Sequence, residues 1–99
     1  MYRHGDVLIL DAAPLPNEAT RRDTDVVAEG EATGHAHRLT GGEVWSMANG
    51  LAITAGDNAK LTHEEHKTLS LSPTADGMCY PIIIQREYDD AHEWRQVAD

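Results

Sequence analysis

The apolar residues of this chain come in short stretches divided by turn residues, and that pattern constrains the fold more than any other feature. Asp6 to Leu10 reads as a buried strand, with Val7-Leu8-Ile9-Leu10 apolar on both faces. Pro14, Pro16 and Asn17 then open a polar loop over residues 12–23, where proline forbids a central strand. Asp25 to Gly30 and Gly34 to Leu39 are further strands, and Thr40-Gly41-Gly42 reads as a turn into Glu43 to Met47. Asn49-Gly50 lies between two apolar runs and is a strong hairpin signal, because both residues tolerate positive φ. Leu51 to Thr54 returns, and Gly56-Asp57-Asn58 closes it. Ala59 to His63 and Lys67 to Leu71 follow, then a turn over Pro73 to Gly77. Met78 to Arg86 is a long strand, and Pro81 places its start on an edge or at a bulge. The best helical candidate, His63 to Thr68, is about one turn long. The expectation is one all-β domain over residues 1–99, an antiparallel barrel or sandwich of about eight short strands. Its loop at 12–23 is expected to be mobile, and an acidic tail runs from residue 88.

Composition narrows the function. Asp and Glu number 17 against 8 Lys and Arg, for a net charge of -9, which argues against a binder that tracks nucleic-acid phosphates. No apolar run approaches the roughly 18 residues of a membrane span. The apolar stretch in MYRHGDVLIL is short for a signal peptide, so a cytoplasmic location is expected. The lone Cys79 excludes an internal disulfide and is expected in the core, as is Trp45. The chain has no Phe and only eighteen Val, Ile and Leu. A domain this poor in large apolar groups is expected to lean on a metal, a ligand or a second subunit.

The six histidines offer the first of these. His35 and His37 form an HxH pair on an expected strand, where side chains two apart share a face about 7 Å apart. Leu39 shares that face, which marks it as inward. His63 and His66 form a second pair, HEEH, whose spacing of three differs from the HExxH of zincins. Two imidazoles from one strand and a third from a neighbour make a cage with one position open, the first shell of many Zn, Fe, Mn and Ni sites. Glu64 and Glu65 are candidates for a ligand, an orienter of an imidazole, or a general base. The alternatives are polar-core or surface histidines with no metal, and a pH-sensing cluster. His4 and His92 are expected at the surface, and so are Glu29 and Glu31, which a His/carboxylate site would otherwise recruit. Trp94 in the polar tail is expected to dock against this subunit or another, and a homo-oligomer is expected. Asp89, Asp90 and Glu93 read as a solvated acidic tail.

The segments RHGDVLIL, GEATGHAHRL, LTHEEH and QREYDD resemble a set of small bacterial and phage proteins of no assigned activity. A weaker likeness is to the cupins, whose first motif runs Gly, HxH, Glu, Gly. Here Gly30, His35, His37, Glu43 and Gly50 follow in that order, while the second cupin motif has no counterpart. HxH on one strand with a His from the next is also similar in geometry to α-class carbonic anhydrases.

Three expectations follow. The first is a small metal-dependent enzyme, a hydrolase or lyase more than an oxygenase. In it His35, His37, His63 and His66 hold a divalent metal (Zn first, then Fe, Mn or Ni), and Glu64 or Glu65 serves as base toward a small-molecule substrate. The second is an acidic binding or inhibitor module of phage type with no chemistry. The third is a metal that only staples the fold.

Overall fold

A computed structural model of the chain describes residues 1–29 and 35–84. Among these there is no helix, and nine strands form one antiparallel sheet. They are β1 (Tyr2–His4), β2 (Val7–Ile9), β3 (Ala13–Pro14), β4 (Thr20–Arg21), β5 (Val26–Glu29), β6 (Ala36–Met47), β7 (Gly50–Thr62), β8 (Leu69–Ser70) and β9 (Met78–Ile84). The main path runs β1-β2-β9-β7-β6-β4, with β3 beside β9, β5 beside β6 and β8 beside β7. The path has two ends, β1 and β4, so the sheet is not closed. The all-β expectation holds.

The backbone of the fold is the β6–β7 hairpin. Its loop is Ala48-Asn49, with Gly50 already pairing with Met47 at φ 148°. Thr40-Gly41-Gly42 is not the expected turn, and 56–58 does not end a strand. Both stretches lie inside continuous strands, at a register shift. Gly42 pairs with Ala55 but Thr40 pairs with Lys60, so Gly41 alone faces residues 56–59. The glycines permit this crowding. Gly41 has φ 76°, and a side chain at Gly42 would press into the Thr54 carbonyl.

Each long strand serves different neighbours at its two ends. On β6, β4 pairs near Trp45 and β5 near His37. On β7, β9 pairs along Leu51–Ile53 and β8 along Lys60–Leu61. β9 is central rather than an edge. Pro81 sits where its outer partner changes from β3 to β2, and its carbonyl still accepts the Leu10 N–H at 2.9 Å. The loop at 12–23 carries two short pairings of its own, β3 and β4.

The core alternates as a half-buried sheet should. Val7 and Ile9 are buried and Leu8 between them is half-buried. They pack with Val27, Leu39, Val44, Ile53, Leu61, Leu71, Tyr80 and Ile82. Cys79 is fully buried, and burial pushes its thiol pKa up, as suits a core residue. Trp45 is half-buried rather than core, its indole N–H donating to Thr54 Oγ1 at 3.1 Å. Buried polar groups are few, and two of them are His4 and His37.

Candidate metal centre

The register after the shift builds the site. Thr62 pairs with Arg38 at the end of β7, and the same register carried one step further sets His63 opposite His37. Their ring centroids are 4.4 Å apart. The next steps hold through side chains. The Ala36 N–H donates to Glu64 Oε1 at 3.1 Å, and His35 Nδ1 lies 3.4 Å from Glu65 Oε2. The segment His63–Thr68, the best helical candidate, bends at Glu64–His66 and forms no helix. It nonetheless brings His63 and His66 within 4.5 Å, centroid to centroid.

A third element enters from β1, at one end of the strand order. The β1–β2 hairpin turns through Gly5-Asp6, and its tip carries His4 and Asp6 into the cluster. Contrary to what its polar stretch suggests, His4 does not lie at the surface; it is only 4 % exposed and packs its ring 4.9 Å from that of His37. A two-residue Gly-Asp turn after Tyr2-Arg3-His4 is itself a hairpin signal, and it would have placed His4 at a strand end beside the fold's interior. Gly5 is required there. It has φ +64°, and a Cβ would fall 2.5 Å from His66 Nε2 and 3.1 Å from His37 Cε1.

Five imidazoles therefore converge from three segments: His4, His35 with His37, and His63 with His66. The ring nitrogens of His37, His63 and His66 offer ligand atoms within 4.8 Å of one another. His35, His63 and Glu64 do the same, so the two groups share His63. His37 is buried, while His63 is half-buried and His66 exposed, so the first group is rooted in the core and open to solvent on one side. Glu43, the acidic residue in the cupin-like order, lies beyond the register shift, beside Arg21 at 3.9 Å, and joins neither group.

The electrostatics favour the neutral form at His37 and His4. Burial lowers the His37 pKa to about 4, helped by His63 and His4 and opposed by Asp6. Burial also lowers that of His4, against the Lys67 carbonyl bond that supports its charged form. Neutral imidazole is the form that ligates metals. The Glu64 carboxyl is held below its usual range, chiefly by the Ala36 amide. The Glu65 N–H donates to His63 Nδ1 at 3.0 Å, which makes Nδ1 an acceptor and leaves Nε2 as the other ring nitrogen facing the cluster.

Family comparison adds membership. A family model described as a domain of unknown function, DUF8820, matches residues 3–85. The chain belongs to that family. The match spans all five clustered histidines, with Asp6, Glu64 and Glu65. No curated protein and no solved structure is detectably similar to this DUF8820 member. Gly30, Glu31, Asp89, Asp90, His92, Glu93 and Trp94 lie outside the described residues, and with them the expected acidic tail. Among the described residues no helix is long and apolar enough to cross a membrane.

Proposed function

We propose that this protein binds one divalent transition metal among His37, His63 and His66 and uses it to activate water against a small electrophile such as an ester, a phosphate or CO2. The observation that carries the reading is the convergence of three imidazoles within 4.8 Å, one of them buried and held by its contact with His4. Ligand atoms of a tetrahedral zinc lie about 3.3 Å apart, given bonds of 2.0–2.1 Å, so a contraction from within 4.8 Å to that spacing closes the cage. Three protein ligands with a solvent-facing side match catalytic zinc sites, which keep a fourth position for water. All-nitrogen donors suit Zn, Fe or Ni, and the carboxylates beside them extend the range to Mn.

Asp6 joins Glu64 and Glu65 as a candidate base. Glu64 accepts from the Ala36 amide, Glu65 lies against His35, and Asp6 Oδ1 stands 3.1 Å from His37 Nε2, so all three carboxylates border the cluster. A carboxylate there places negative charge beside the cation and within reach of a bound water.

A second reading, the metal as staple, has its own support: the cluster ties the β1–β2 hairpin, the start of β6 and the 63–66 bend together in a domain with a thin core. Tag-free protein purified from metal-supplemented medium is expected to carry near one equivalent of Zn, Fe, Mn or Ni. Undetectable metal contradicts both readings. Chelation that leaves the melting temperature unchanged removes the staple alone.

A further inference from the structure

Two histidines in this site hold each other. His4 Nδ1 and His37 Nδ1 are 2.8 Å apart, His4 Nε2 is 2.8 Å from the Lys67 carbonyl, and His37 Nε2 is 3.1 Å from Asp6 Oδ1. A carbonyl and a carboxylate only accept, so the chain has an acceptor at each end and a nitrogen pair in the middle. Three hydrogen bonds need three protons, and two neutral imidazoles supply two. The two short contacts claim them. His4 Nε2–H donates to Lys67, which leaves His4 Nδ1 as a lone pair, and that lone pair accepts the proton of His37 Nδ1. The unfilled place is the longest contact, where the His37 Nε2 lone pair faces a carboxylate. A cation bound at His37 Nε2 relieves the contact of that lone pair with the Asp6 carboxylate.

We infer that His4 is a positioning residue of the metal site: by accepting the His37 Nδ1 proton, it fixes the tautomer that presents His37 Nε2 to the metal. This rests on the metal reading proposed above and goes beyond it, because it makes His4 a member of the site without being a ligand. Histidine ligands are commonly held this way by a carboxylate or carbonyl on the far nitrogen. Here a second imidazole takes that place, itself locked by the backbone at Lys67. The Gly5 turn serves the same end, bringing His4 and Asp6 to the two nitrogens of one ring with no side chain between them.

The test uses the full chain loaded with zinc. Long-range proton–nitrogen NMR is expected to show protonated Nδ1 and metal-bound Nε2 on His37, and protonated Nε2 with bare Nδ1 on His4. Zinc bound through His37 Nδ1, or a protonated His4 Nδ1, overturns the assignment. In parallel, chelator competition measures zinc affinity. His4→Phe keeps a ring but has no acceptor, and is expected to weaken zinc by about 10–100-fold. His4→Asn restores an acceptor near the Nδ1 position and is expected to recover most of that loss, which a purely structural role would not. Equal affinity for His4→Phe and wild type overturns the role of His4. A wild type that binds no zinc overturns the metal site itself. Should His4→Phe fail to fold, the NMR assignment on the wild type decides alone.

Discussion

His4 Nδ1 lies 2.8 Å from His37 Nδ1, although the two residues sit 33 apart in sequence and on strands that do not pair. Both rings are buried, and burial lowers both pKa values, that of His37 to about 4. The unfolded chain therefore binds protons in a range where the folded one does not. Stability is fully present above the ordinary value of 6.5 and is lost as pH falls toward 4. For the metal-free protein, His37 alone is expected to cost on the order of 3 kcal/mol across that window. Urea unfolding at stepped pH measures it. A flat profile from pH 6.5 to 4 contradicts the burial of neutral rings.

Gly5→Ala is expected to damage the site and the fold together. The left-handed φ of +64° costs an L-residue about 1–2 kcal/mol, and the new methyl meets His66 Nε2 and His37 Cε1. The expected result is a lowered melting temperature and weakened metal binding. Wild-type values for both contradict the close packing of the hairpin tip against the rings.

The strand pattern, the paired histidines and the buried face of Leu39 were legible in the sequence, because alternation and turn chemistry are local. The site's assembly was not. At the Met47–Gly50 end of the hairpin the register would set His37 against Lys60; only the three extra residues that β7 spends opposite Gly41 move His63 into that place. Such a shift is a tertiary compromise, and Gly41-Gly42 and Gly56-Asp57-Asn58 read just as well as two turns. The Gly5-Asp6 turn signals the hairpin of His4, but the burial of His4 is not local. The residue sits in a polar stretch, Tyr2-Arg3-His4, and is buried only because the β2–β9 pairing draws the hairpin into the sheet.

Gly42→Ala tests that register. A Cβ there presses into the Thr54 backbone carbonyl, which has no flexible side chain to yield. A loss of about 1–3 kcal/mol is expected in chemical denaturation. Substitution without loss means the strands cross elsewhere.

Glu64 and Glu65 should separate under mutation. Glu64→Ala removes the acceptor of the Ala36 N–H at the start of β6 and is expected to raise hydrogen exchange at that amide. Glu65→Ala leaves its own backbone bond to His63 in place and is expected to change that exchange little. Equal exchange at Ala36 in both variants contradicts the bond assigned to Glu64.

The most direct measurement is zinc titration of the metal-free full chain by calorimetry, wild type against His66→Ala. His66 is solvent-exposed, so its removal tests ligation with little effect on the core. The account predicts one equivalent of zinc bound by wild type and an affinity at least about tenfold weaker in His66→Ala, with the fold retained. No binding by wild type, or binding unchanged by loss of His66, contradicts it.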